Sequence, residues 1–188
     1  VELGYQKRSL VPIVDAPAVD AAFRAGTGAS LRVSLGGTLD PGRHRPLSLD
    51  VEVVRLSDHS FTYDDGTREP PVRTAELRAG THTIFASERP LWFVGLRVFR
   101  EHGIDPAEYD LVVLKSPNGF RTYYGSMASR IFCVDVPGST SPNLRSLPYR
   151  RCPRPMYPLD ADVVFDPRCA ARRAWGRKAP ESGRSADQ

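Results

Sequence analysis

Long hydrophobic runs are missing from this 188-residue sequence, whose apolar stretches reach only four or five residues. A helix that crosses a bilayer needs about 20 apolar residues, so the sequence predicts neither a transmembrane segment nor a membrane partner. The first residues lack both an initiating Met and the basic-then-apolar pattern of a signal peptide. We interpret the sequence as a piece cut from a longer protein.

Cysteine is scarce as well. Cys133, Cys152 and Cys169 form no C-x-x-C pair and have no adjoining His, which argues against a zinc knuckle and a disulfide framework. A bridge between Cys152 and Cys169 stays open as an alternative. Cys133 lies in an apolar run and is predicted to be a small core residue. The odd count without a secretion signal favours a reducing, cytoplasmic location.

The motifs of common catalytic sites are also absent. His44, His59, His82 and His102 stand apart, with no H-x-H, H-x-D or H-E-x-x-H spacing to bring zinc ligands together. No G-x-S-x-G elbow, P-loop or G-x-G-x-x-G fingerprint occurs. We therefore predict no catalytic residue, metal ligand or cofactor in this chain, and we expect each His to be a solvated surface residue.

Excess positive charge is confined to one end of the chain. The formal net charge is +4, and residues 168–188 contain six basic and two acidic residues, so residues 1–167 are neutral. We predict one domain over residues 1–167 and a basic, disordered tail over residues 168–188. The neutral body predicts no nucleic-acid partner. A binder driven by the tail is a remaining alternative, and its binding would collapse with salt.

What the sequence does contain predicts an α+β fold. Asp15 followed by Pro17 indicates a helix start, and Gly26 indicates its end near Ala25. Alternating apolar residues then predict an antiparallel sheet. The expected strands include residues 31–35, 49–53, 61–63, 75–78 and 83–86, and a short helix is expected at residues 96–101.

The most specific region begins at residue 111. A strand at residues 111–114, a tight turn, a helix and a strand at residues 131–136 together predict a βαβ-like unit. The helix is expected to include Gly125 and Ser126. Seven prolines within residues 137–167 then predict an extended segment that wraps a surface rather than a helix or central strand.

The turn of this unit is the best candidate for a binding site. Lys115, Ser116, Asn118 and Arg121 follow a strand and open a helix, where backbone N–H groups and two cations favour an anion. Ordinary helix-starting chemistry explains the same residues, with Ser116 as a cap and Arg121 paired to Asp135 or Glu108. Both interpretations stay open.

Another basic cluster lies in the proline-rich segment, where arginines alternate with aromatic residues. It resembles a nucleic-acid surface, but Arg stems and rings along an extended segment are better explained as a clamp onto another protein surface. Its arginines are Arg145, Arg150, Arg151 and Arg154.

Several strings resemble one known family. The sequences VDVPGSTSPNLRSLPYRR from Val134 and RPMYPLD from Arg154 resemble the end of the microcystinase C (MlrC) family of zinc metallopeptidases. The string KSPNGFR from Lys115 is similar to that family's K-S-x-x-H-F-R, with Gly119 where many relatives have His. LGG and GIDP, beginning at Leu35 and Gly103, are similar to two further landmarks.

The resemblance implies that this chain is a C-terminal accessory domain. In the family, a separate N-terminal domain carries the zinc and the catalytic acid, so no zinc ligand transfers to this chain. The implied partners are that domain and a peptide-like small-molecule substrate held by the turn. Whether this chain is itself an enzyme stays open. The alternative is a stand-alone binding or scaffold module with the same fold.

Overall fold

The computed structural model describes residues 4–38, 41–42, 44–116, 118–136 and 143–164. The chain divides into two compact units, residues 1–137 and 138–188. The expected single domain to residue 167 stays a prediction. The expected tail at residues 168–188 lies outside the described residues. No helix in the described part of the chain is long and apolar enough to cross a membrane.

The first unit combines eight strands with three short α-helices among its described residues. The strands are β1 Ser9–Val14, β2 Ser30–Leu35, β3 Leu47–Ser57, β4 Phe61–Thr62, β5 Arg68–Glu69, β6 Thr74–Ala79, β7 His82–Ser87 and β8 Leu111–Val112. The helices are α1 Ala16–Ala25, α2 Arg97–Arg100 and α3 Phe120–Tyr124, and a 3₁₀ turn spans Pro106–Glu108.

Six of the strands form one mixed sheet in the order β2-β3-β6-β7-β1-β8, and β4 pairs with β5 separately. Strands β2, β3, β6 and β7 are antiparallel neighbours, which confirms the antiparallel middle of the chain. Strand β1 runs parallel to both β7 and β8. The predicted α+β class is confirmed, with most of the sheet formed before residue 90.

Helix α1 begins and ends where the sequence predicts. Asp15 is fully buried, and its Oδ1 accepts a hydrogen bond from the Ala18 N–H at 3.1 Å, as an N-cap does. The helix ends at Gly26, whose φ of 83° suits a residue without a side chain. The other Asp15 oxygen accepts from the Gly36 N–H at 2.8 Å. One carboxylate therefore joins the start of α1 to the end of β2.

The sheet has a different core on each face, because side chains alternate along a strand. Ile84 and Ala86 of β7 belong to the aliphatic core under α1. Phe85, between them, belongs to an aromatic core on the other face with Phe93 and Phe99. The loops and helix of residues 91–104 cover this second core.

The predicted βαβ-like unit forms only in part. Strand β8 and helix α3 are present, but residues 131–136 are exposed and adopt no strand. Cys133 is exposed, so its predicted place in the core is wrong. Helix α3 ends at Tyr124, before Gly125 and Ser126. Residues 131–136 have the apolar, β-branched composition of a strand. Such residues form a strand only where a neighbouring sheet edge pairs with them.

The described part of the second unit, residues 143–164, contains a 3₁₀ turn at Leu144–Ser146 and no strand. Arg154 and Asp160 form a bidentate ion pair, and the Met156 N–H also donates to Asp160. The Arg154 guanidinium and this N–H lower the pKa of Asp160 to about 2. The proline-rich loop at residues 154–160 is thus closed by its first and last residues.

Candidate functional site

The candidate turn begins directly after the edge of the sheet. Val113 N–H still bonds to the Leu10 carbonyl at 2.9 Å, and the chain then leaves the sheet through Lys115 and Ser116. The Ser116 hydroxyl accepts a hydrogen bond from the Phe120 N–H at 3.3 Å. The N-cap of α3 is Gly119, so Ser116 is not the cap residue that the sequence analysis considered, although its hydroxyl still accepts from the first N–H of the helix.

Helix α3 is held in place by the segment before α2. The buried Tyr124 hydroxyl donates to the Gly95 carbonyl at 3.2 Å, and burial raises the pKa of Tyr124. Gly119 lies close to the neighbouring Val94, because a Cβ at Gly119 would stand 2.7 Å from Val94 Cγ1. The φ of Gly119 is −57°, so the tight contact, and not an unusual backbone conformation, favours glycine here.

The remaining candidate side chains point to solvent. Lys115, Asn118 and Arg121 are all exposed. The Arg121 guanidinium stacks over the Phe120 ring with its Cζ 5.1 Å from the ring centre, and one of its nitrogens is 3.9 Å from Cys133 Sγ. Of the two acidic partners considered for Arg121, Glu108 pairs with Arg8 instead. The turn thus presents two cations and an amide to solvent, which suits a carboxylate ligand.

Proton transfer and metal binding find no support in this part of the chain. Among residues 4–38, 41–42, 44–116, 118–136 and 143–164, no group of three or more His, Cys, Asp or Glu side chains could hold a metal ion. Zinc sites in hydrolases need three such ligands. The described residues therefore do not fit a zinc site.

A buried polar cluster was missed by the sequence analysis. His102 is 3% exposed, so its predicted place on the surface is wrong, whereas His44 and His59 are exposed as expected. The His102 Nδ1–H donates to the Val98 carbonyl at 2.7 Å, and its ring stacks on His59 and contacts Phe85. Its position after a helix gives no sequence signal, because the rings that cover it come from distant strands.

Glu76 lies against the same void as His102. The void is too narrow for a water molecule, and Glu76 Oε2 and His102 Nε2 have no hydrogen-bond partner among the described residues. Burial raises the pKa of Glu76 against the opposing charges of Arg55 and Arg78, and burial lowers the pKa of His102. Burial therefore shifts both groups toward their neutral forms, although Arg55 Nε lies 3.5 Å from Glu76 Oε2, an ion-pair distance without a hydrogen bond.

The replacement Glu76→Gln should become more stabilising, relative to the parent, as the pH rises. The folded chain keeps the Glu76 proton to a higher pH than the unfolded chain, so this group's contribution is complete below its ordinary pKa of 4.5 and is lost as the pH rises through the folded pKa. Gln stays neutral. Urea unfolding of both proteins from pH 4.5 to neutrality measures the difference.

A matched control is Glu52→Gln, on the exposed face of β3, where Glu52 stands 3.9 Å from Arg78. The gain in stability with rising pH should be larger for Glu76→Gln than for this exposed control. His102 contributes stability above its ordinary pKa of 6.5 that is lost as the pH falls, but it is present in both proteins and cancels. Parallel pH profiles for the parent and Glu76→Gln would contradict the burial of this carboxyl group.

Comparison with protein families gives a match over most of the chain. A family model described as MlrC C-terminus matches residues 1–151. The match includes both sheet faces, the candidate turn and helix α3.

Two relatives are much longer than this chain. The sequence is 28% identical over 149 residues to microcystinase C of Sphingomonas sp., covering 79% of this chain and 29% of that protein. A crystal structure from Mesorhizobium sp. BNC1, described as a candidate metallopeptidase, has a TM-score of 0.73 and 27% identity, covering 88% of this chain and 33% of that one. The chain therefore spans about a third or less of each relative.

Proposed function

Because this chain belongs to the MlrC C-terminus family, we propose that it is the accessory domain of a zinc-dependent peptidase or amidohydrolase. The observation that carries the proposal is the family match together with relatives about three times as long. The described residues supply no metal site of their own. In this proposal the zinc and the catalytic acid belong to a separate N-terminal domain on which this chain packs, in the cytoplasm.

The part played by this chain is to position substrate. Lys115 and Arg121 are exposed cations on one turn, and Asn118 adds an exposed amide. A charge-assisted hydrogen bond from Arg121 would hold a substrate carboxylate, while Ser116 keeps the turn in shape through the Phe120 N–H. Holding the substrate in one orientation lowers the entropic part of the activation barrier.

Metal removal tests the proposal as a whole. We expect the complete polypeptide encoded by the gene to contain zinc, to hydrolyse amide substrates and to lose this activity with a chelator. Added zinc should restore it, because the metal supplies the hydrolytic chemistry. The 188-residue chain should show neither zinc nor hydrolysis, and its thermal unfolding should be unchanged by the chelator. Stoichiometric zinc in these 188 residues alone would overturn the proposal.

Arg121→Ala in the complete polypeptide should lower kcat/KM by roughly tenfold or more, the scale of one lost charged hydrogen bond. The cause is the loss of a cation that faces solvent, so the thermal unfolding midpoint should stay the same. Steady-state kinetics with a carboxylate-bearing amide substrate and with its neutral ester measure the effect, which should appear only with the carboxylate.

Arg24→Ala is the control for net charge, since Arg24 is an exposed residue in the last turn of α1. It should leave kcat/KM unchanged. Equal kinetics for the parent and a folded Arg121→Ala variant would remove Arg121 from the site while leaving the accessory-domain proposal in place.

A further inference from the structure

Residues 131–136, here called the exposed segment, contain four exposed apolar side chains. Phe132, Val134 and Val136 are 72%, 79% and 62% exposed, and Ile131 is 37% exposed. Large exposed apolar residues that are clustered rather than scattered are a feature of interaction sites on soluble proteins. The exposed segment is therefore the strongest candidate for an interface in the described residues.

The composition of the exposed segment suits a strand. It reads Ile-Phe-Cys-Val-Asp-Val, and β-branched and aromatic residues favour extended pairing. Among the described residues, Ile131, Phe132 and Val134 have no main-chain hydrogen bond to the sheet. An extended peptide with these properties can add to the edge of a partner's sheet, where main-chain bonds and apolar pockets act together.

The exposed segment is also connected to the candidate turn. Arg121 of α3 approaches Cys133 Sγ to 3.9 Å, and the Arg130 guanidinium lies 5.9 Å from the Phe132 ring centre. A partner that covers Phe132 and Val134 would therefore lie beside Arg121. This continuity matters, because the proposed function requires a second domain next to the turn.

We propose that the exposed segment is the strand on which the catalytic domain of the same polypeptide docks, an inference that rests on the proposed function. Relatives contain about twice as much chain again beyond the part matched here. A stable interface between separate proteins uses about 20–30 residues a side, far more than this segment supplies. A covalently joined domain binds at high effective concentration, so a short docking strand is sufficient for it and insufficient for a second free copy.

Hydrogen–deuterium exchange followed by mass spectrometry tests the docking directly. The probe is the complete polypeptide, compared with the 188-residue chain. Amides of residues 131–136 should exchange rapidly in the 188-residue chain and at least about tenfold more slowly in the complete polypeptide, since main-chain pairing must open before exchange.

Phe132→Ser in the complete polypeptide should reduce that protection by about tenfold or more, because the buried aromatic ring contributes much of the contact. Tyr157→Ser is the matched control, as Tyr157 is an equally exposed aromatic residue at 74%. It should leave the exchange of residues 131–136 unchanged. Thermal unfolding of the 188-residue chain should be the same with and without Phe132→Ser.

Results that contradict the docking strand can be distinguished from results that contradict the proposed function. Fast exchange of residues 131–136 in a complete polypeptide that hydrolyses amides with zinc would overturn the docking strand and leave the proposed function standing. A sedimentation mass of two chains for the 188-residue protein, with these residues already protected, would show that a second copy covers the segment and would also overturn it. A complete polypeptide without zinc-dependent hydrolysis removes the proposed function instead.

Discussion

Phe85→Ala should lower the free energy of unfolding by about 3–5 kcal/mol, the cost of a large cavity in a packed core. Phe85 is 1% exposed, and its ring centre lies 5.9 Å from that of Phe93, 5.7 Å from that of Phe99 and 4.9 Å from that of His102.

Urea denaturation of the 188-residue chain measures this effect. Phe132→Ala is the matched control, because the same atoms are removed from a side chain that is 72% exposed, and its cost should stay within about 0.5 kcal/mol. Phe85→Leu, which keeps much of the volume, should cost less than about 1.5 kcal/mol. Equal losses at Phe85 and Phe132 would contradict the position of the aromatic core.

Asp15→Ala should be the next most costly change, at about 2–4 kcal/mol. It removes the cap of α1, usually worth about 1 kcal/mol, and it leaves the Gly36 N–H without its carboxylate acceptor, which adds about 1–3 kcal/mol. The two bonds of 3.1 and 2.8 Å lie on different oxygens of one fully buried carboxylate. No single replacement residue reproduces both.

Asp15→Asn separates these two contributions. Its amide keeps one acceptor oxygen and turns the other position into a donor, so it should recover only part of the stability. Asp20→Ala, on the same helix, removes a half-exposed ion pair to Arg73 and should cost at most about 1 kcal/mol. If Asp15→Ala and Asp20→Ala were equally mild, the buried link between α1 and β2 would be refuted.

The local elements of the fold could be predicted from the sequence. The Asp15 cap, the Gly26 stop and the period-two strands lie where the sequence predicts them, because each depends on a few neighbouring residues. The family resemblance, which rests on contiguous strings of residues, was also confirmed.

The features that were missed depend on distant partners. The parallel pairing of β1 with both β7 and β8 joins residues about 70 to 100 positions apart, and no local pattern encodes it. His102 is buried by rings from β4 and β7. Residues 131–136 have the composition of a strand, but they adopt none, because a strand also needs a neighbouring edge with which to pair.

The candidate site was likewise predicted only in part. The helix near Ser116 was expected, but it begins later than predicted, with Gly119 as its N-cap and Ser116 bonded to the Phe120 N–H from four residues before it. The exposure of Lys115, Asn118 and Arg121 agrees with a binding turn, but their action on substrate stays a prediction. The contact between Gly119 and Val94 joins two loops and is invisible to sequence patterns.

Because of that contact, the substitutions that position 119 tolerates depend on the residue at position 94. A side chain introduced at 119 meets Val94 Cγ1 at 2.7 Å, and Val94 is itself buried and has few alternative rotamers. Loss of volume at 94 must therefore come first, and gain of volume at 119 second. A combinatorial library that varies both positions should recover large residues at 119 only together with Ala or Gly at 94, so the order of steps constrains how this turn can acquire a new side chain.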